Sequence, residues 1–122
     1  MQVGTIAELR EYIGTAGVSA FGKWLDDLDA IAAAKVTIAL TRLAQGNTSA
    51  LKAIGGGVAE LRIHFGPGYR VYLGADGREL WILLRGGIKA TQSSDITKAQ
   101  RDWRGYKSAK RRKPESSDAS DS

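Results

Sequence analysis

Six side chains that could grip or work on an anion fall on one expected sheet face of the stretch Val58 to Gln92: Arg62, His64, Arg70, Tyr72, Trp81 and Arg85. Guanidinium groups offer forked donors that match phosphate oxygens. Tyr72 and Trp81 offer flat faces for stacking on bases. His64 is the one imidazole in the chain and could serve as acid or base. Lys89 and Gln92 follow close behind, on a loop expected near the same end.

The positioning elements can be read from the alternation. Ala59, Leu61, Ile63 and Phe65 point one way, and Glu60, Arg62 and His64 the other, the period of a half-buried strand. Residues 69–73 repeat it, and Gly66-Pro67-Gly68 between them is a turn. A three-residue turn pairs Phe65 with Tyr69, Ile63 with Val71 and Leu61 with Leu73, setting His64 opposite Arg70 and Arg62 opposite Tyr72. Asp76-Gly77 suits a two-residue hairpin and sets Leu73 opposite Leu80, Val71 opposite Ile82 and Tyr72 opposite Trp81. The predicted core face is then Leu61, Ile63, Phe65, Val71, Leu73, Leu80, Ile82 and Leu84. The third strand, Leu80 to Arg85, is almost wholly apolar and is expected to be central or covered on both faces. Gly86-Gly87 is expected to end it.

Before the sheet, residues 5–13 fit a helix slightly better than an edge strand, with Thr5 and Glu8 at capping-box spacing. Ser19 caps a short helix from Ala20 to Leu28, and a second helix runs from about Ile31 to Gln45, ended by Gly46-Asn47. The two form a helical hairpin against the sheet. Residues 47–57 are expected to be a loop. A last, basic helix spans about 94–112, started by Ser93 or Ser94, with Lys98 and Arg101 on its solvated side.

The chain has 122 residues and a formal charge of +5. Its last nine residues hold three acids and no base, so residues 1–113 carry +8. That favours an anionic partner, either nucleic acid or an acidic protein segment. Residues 1–113 are expected to form one domain, with 114–122 a disordered polar tail. There is no cysteine, which excludes disulfides and thiolate metal sites, and one histidine leaves little for zinc. No apolar run approaches the roughly 20 residues of a membrane span, and no signal peptide is visible, so a cytoplasmic protein without a membrane partner is expected.

Glu60-Leu61-Arg62, Gly66-Pro67-Gly68-Tyr69-Arg70-Val71-Tyr72, and Gly86-Gly87-x-Lys89-x-Thr91-Gln92 with Asp95-Ile96 resemble the RelE/ParE-superfamily toxins of type II toxin–antitoxin systems. The resemblance is strongest to the HigB-like addiction module killer branch, whose first helix is similar to Phe21-x-x-Trp24-Leu25-x-x-Leu28. It implies an α+β fold: an N-terminal strand (in place of the helix preferred for residues 5–13), the helical hairpin, a three-stranded antiparallel meander and a C-terminal helix. It also implies a helix-turn-helix antitoxin as partner, with DNA reached only through that antitoxin. The implied activity is ribosome-dependent mRNA cleavage, with the ribosome and mRNA as further partners and no cofactor. The alternatives are a ParE-like inhibitor of DNA gyrase and an inactive relative that only binds the antitoxin. Ile88 stands where such toxins commonly carry an acid before the motif lysine.

Metal-independent cleavage needs an activated 2′-hydroxyl, a stabilised pentavalent phosphate and a neutralised leaving oxygen. Arg62 and Arg70 would clamp the phosphate. Lys89 would act on the 2′-hydroxyl or as a further cation, and His64 and Tyr72 complete the catalytic candidates. Trp81, Arg85, Gln92, Lys98 and Arg101 are candidates for holding RNA. The plain alternatives are a surface ion pair between Arg62 and Glu60, a solvated His64, Tyr72 and Trp81 packed under the last helix, and a solvated basic helix.

Overall fold

In the computed structural model, which describes residues 6–112, a five-stranded sheet lies between two helical layers. The strands are β1 (Glu8–Glu11), β2 (Leu51–Gly55), β3 (Val58–Ile63), β4 (Tyr69–Ala75) and β5 (Leu80–Ile88), in the order β1-β5-β4-β3-β2. The helices are α1 (Ala20–Asp26), α2 (Ala30–Ala44) and α3 (Gln92–Arg112). The predicted tail at 114–122 lies outside the described residues. No helix among the described residues is long and apolar enough to cross a membrane.

The α+β architecture expected from the resemblance is present. Residues 8–11 are a strand, not the helix their spacing favours, and β1 pairs in parallel with β5. Their tertiary partner settles this: Ala7 N–H donates to Ala44 O and Glu8 N–H to Glu79 O, which docks the segment beside β5. Ser19 caps α1 through a 2.8 Å bond from Gly22 N–H, and Asp29 caps α2 by accepting from Ala32 N–H at 2.9 Å. The predicted loop at 47–57 contains a fifth strand, β2, joined to β3 through Gly55, Gly56 and Gly57. All three glycines have positive φ, a conformation that side chains resist.

Two registers differ from the expected ones. β3 and β4 pair Ile63 with Tyr69, Arg62 with Arg70, Leu61 with Val71 and Glu60 with Tyr72. The connection is five residues, not three, so the shift is even and every side chain keeps its face. His64 and Phe65 fall in the connection instead of the strand, so His64 does not pair with Arg70, and Phe65 leaves the core face and is 37% exposed. The β4–β5 hairpin closes with Asp76 N–H to Leu80 O, one residue longer than the two-residue turn, and pairs Gly74 with Ile82 and Ala75 with Trp81. That odd change flips faces. A bulge opposite Tyr72 and Leu73 then restores the parity towards Gly86.

Consequently Ile82 and Leu84 leave the predicted core face and join Val58, Tyr72, Ala99 and Trp103 under α3, with Leu80 packed alongside. Leu83 takes their place among Leu61, Ile63, Val71, Leu73, Phe21, Val36, Leu40 and Leu43, beneath α1 and α2. Trp81 packs against this second group, so it does not share a face with Arg62 and Arg70. The strand also runs through Gly86 and Gly87 to Ile88 and does not stop at Arg85. Each glycine admits a neighbour: a Cβ on Gly86 would enter the Trp24 ring, and one on Gly87 would meet the Asp95 carboxylate.

The most consequential difference is α3. It starts at Gln92, earlier than predicted, and lies across the sheet face of Tyr72, the packing under the last helix that the sequence leaves as an alternative. Trp103 sets its height, because a Cβ on Gly74 would stand 2.6 Å from Trp103 Cε3. Trp103 stacks on Tyr106 at 5.2 Å, and Tyr106 and Lys110 both donate to Asp76. Gly74→Ala is therefore expected to destabilise the chain by about 1–3 kcal/mol, the usual consequence of overpacking, read from urea unfolding.

Candidate functional site

At the end of the sheet near the Gly66–Gly68 turn, β3 carries Glu60, fully buried under the start of α3. A buried carboxylate is strongly disfavoured unless its oxygens are satisfied. Here Arg62 Nε donates to Oε1 at 2.7 Å and Gln92 Nε2 donates to Oε2 at 2.7 Å. Arg70 Nε stands 3.3 Å from Oε2, an ion pair without the alignment of a hydrogen bond. Burial alone pushes the Glu60 carboxyl up. The bonds from Arg62 and Gln92, with the charges of Arg62 and Arg70, outweigh it and hold the carboxyl below its ordinary range.

The two arginines end in different surroundings. Arg70 is 7% exposed, and its Nη1 donates to Gly68 O at 3.0 Å, tying the turn to the cluster. Arg62 keeps about a third of its side chain in solvent. Lys89 opens a 3-10 turn, Lys89–Thr91, between β5 and α3, and it is exposed. Its N–H reaches Pro67 O at 3.4 Å, so the motif lysine sits directly on the turn that Arg70 holds. His64 is exposed and lines one cleft with Arg62.

Of the predicted residues, the structure thus gathers Arg62, Arg70, Gln92, Lys89 and His64 at one end of the sheet. Tyr72 shares their face but is fully buried, its hydroxyl without a hydrogen-bond partner. Burial and then the charge of Glu60 push that hydroxyl well up, so it stays protonated. Arg85 is committed to α3, donating from Nε and Nη2 to Asp102 Oδ2 at 3.0 and 2.7 Å. Arg101 is exposed and approaches the same Asp102 at 3.6 Å. Lys98 is exposed at the rim of a cavity with Trp24, Thr91 and Asp95. Trp81 is on the opposite side.

Glu60 is the centre of the cluster that sequence reasoning missed as such, having placed it as half of a surface ion pair. The available signal was its parity. It is an acid on the face of Arg62, Arg70 and Tyr72, where it would be buried once any element covered that face.

The arrangement defines a small α+β protein with a carboxylate-anchored pair of arginines and an adjacent exposed lysine at one end of the sheet. Residues 23–104 match the family described as phage derived protein Gp49-like (DUF891), and the chain belongs to that family, an addiction-module-toxin-like group. A Haemophilus influenzae protein described as "Uncharacterized protein" is 44% identical over 81 residues, which span 66% of this chain and 82% of the relative. Family membership implies an antitoxin partner.

Proposed function

We propose that this chain is the toxin of a type II toxin–antitoxin pair, of the RelE/ParE superfamily and its HigB-like branch. In this reading it is a ribosome-dependent, metal-independent mRNA endonuclease neutralised by a helix-turn-helix antitoxin. The observation that carries the reading is the Glu60 cluster, which fixes Arg62 and Arg70 beside the Lys89 turn. Fixed cations aimed at a phosphate need no reorganisation as charge develops in the transition state.

In the reaction, the 2′-oxygen forms a bond to phosphorus and the bond from phosphorus to the 5′-oxygen breaks. The products are a 2′,3′-cyclic phosphate and a 5′-hydroxyl. The 2′-proton passes to a base and the 5′-oxygen receives one. Arg62 clamps the phosphate from its exposed side. Lys89 assists the 2′-hydroxyl or adds positive charge, and His64 is the imidazole available for proton transfer. Arg70 is too buried to lead. It holds the Gly68 carbonyl, and through that turn the lysine.

A second reading is favoured by the burial of Arg70 and Tyr72 and by Ile88 before the lysine. It makes the chain a non-nuclease toxin acting on DNA gyrase, or an inactive antitoxin-binding relative. Brief induced expression followed by primer extension across host transcripts separates the readings. New cuts inside translated regions are expected. Growth arrest without cuts would move the assignment to gyrase, and neither arrest nor cuts would leave a binding protein.

A further inference from the structure

A second cationic feature lies beside the Glu60 cluster. A cleft of about 390 Å³ runs between α2 and the outer end of β3, lined by Lys35, Ile38, Arg42, Arg62, His64 and Phe65. The fold produces it in three ways. Val36, Leu40 and Leu43 turn inward, which leaves Ile31, Lys35, Ile38 and Arg42 as an outward stripe of α2. The β2–β3 ladder ends at Leu61, with one further bond from Arg62 N–H to Ala50 O at 3.4 Å, so β2 does not cover the edge beyond Arg62. The long β3–β4 connection turns Phe65 out of the core and over this edge.

The chemistry of the lining is one-sided. It holds two arginines, a lysine and the histidine, and no carboxylate. Among the described residues Lys35 and Arg42 join no ion pair. Phe65 is exposed, it stacks on Tyr69 at 6.5 Å between centroids, and Lys35 Nζ stands 5.1 Å from its ring centroid. An exposed ring beside unpaired cations is the composition that grips a single strand: stacking for a base, charge for the phosphates.

We propose that this cleft binds single-stranded RNA next to the phosphate held by Arg62. Arg62 belongs to both the cleft and the Glu60 cluster. Lys35 and Arg42 take the flanking phosphates, and Phe65 stacks one base, which displaces Lys35 from its ring towards the backbone. The proposal deepens the ribonuclease reading and rests on it for the strand's being the substrate. The binding itself stands on the cleft.

The test is fluorescence anisotropy of a labelled uridine oligoribonucleotide with the full chain, across a range of salt. Lys35→Ala combined with Arg42→Ala is expected to weaken binding about tenfold or more. It should also reduce the slope of log affinity against log salt by about 1.4, or 0.7 for each lost phosphate contact. Phe65→Ala is expected to weaken binding about tenfold with the slope unchanged, since it removes stacking and no charge. Arg104→Ala with Arg111→Ala, exposed on α3 and outside the cleft lining, is the control and should change affinity much less.

Equal losses in the two double variants would overturn the proposal in favour of diffuse attraction, and so would a wild type with no measurable affinity at low salt. Unchanged RNA affinity in the Lys35/Arg42 variant, with lost affinity for a labelled polyglutamate peptide, would also overturn it and make the cleft a dock for an acidic protein segment. The two readings fail separately. Absent transcript cuts with cleft-dependent RNA binding would remove the nuclease and keep the cleft, whereas cuts with cleft-independent binding would do the reverse.

Discussion

Glu60→Ala is expected to lower the unfolding free energy by about 3–5 kcal/mol, the usual consequence of removing one partner of a buried ion pair. Arg70 is the reason for so large an effect. It is almost as buried as Glu60, and without the carboxylate its charge would have only the Gly68 carbonyl for compensation. Gln92 would also lose its acceptor, loosening the first turn of α3. Glu60→Gln keeps the shape and one acceptor oxygen but not the charge, and an intermediate loss is expected.

The same residue sets an acid dependence. The Glu60 carboxyl lies below its ordinary range in the folded chain, and so does Asp76, held down by the hydrogen bonds from Lys110 and Tyr106. The unfolded chain therefore binds protons first as pH falls. Stability from both groups is complete above their unfolded values and disappears as pH falls through their folded ones, roughly from pH 5 downward. Thermal unfolding midpoints should drop over that window in the wild type. The drop should be shallower in Glu60→Gln, with the remaining slope carried by Asp76.

The second large effect is on activity. Lys89→Ala is expected to reduce transcript cleavage by about 100-fold or more, the scale of losing one preorganised electrostatic donor, with the unfolding curve nearly unchanged because Lys89 is exposed. Arg62→Ala should reduce cleavage as much, but it also removes a hydrogen bond to buried Glu60 and so lowers stability. The pair separates roles: a loss of cuts without a loss of stability at Lys89 identifies a group at the reaction, not one supporting the fold. Primer extension and urea unfolding on the same preparations would read both quantities.

The legible parts of the fold were those with a strict pattern. The helices α1 and α2 were found by spacing and caps, and β3 and β4 by alternation. The faces of Arg62, Arg70 and Tyr72 survived a wrong turn length because the error was even. β5 was not legible in the same way. Leu80, Ile82, Leu83 and Leu84 are apolar at both parities, so no side chain objected to either register. A turn one residue longer and a bulge then decided which leucines faced α3. Trp81 was misplaced by that single parity flip. β1 is a short edge strand ordered by β5, distant in the chain, which local pattern does not encode; β2 pairs with the adjacent β3, but its residues Leu51–Gly55 show no strict alternation.

The site was legible as residue types and partly as geometry. Arg62, Arg70, Lys89, Gln92 and His64 do converge on one end of the sheet. What the pattern did not carry was cover. α3 lies over the face, which buries Arg70 and decides for Tyr72 between base stacking and packing under the helix, and it makes Glu60 the centre of the cluster. Arg85 was taken by Asp102, a residue 17 positions later, and no periodicity announces such a pairing.

The most direct measurement uses purified components: a defined mRNA on translating ribosomes, with the wild-type chain and Lys89→Ala compared in the presence of a chelator that leaves the ribosomes intact. Cuts within the translated region, ending in 5′-hydroxyls, absent without ribosomes and lost in Lys89→Ala, are the predicted result. Intact mRNA on ribosomes exposed to a folded wild-type chain would contradict the account.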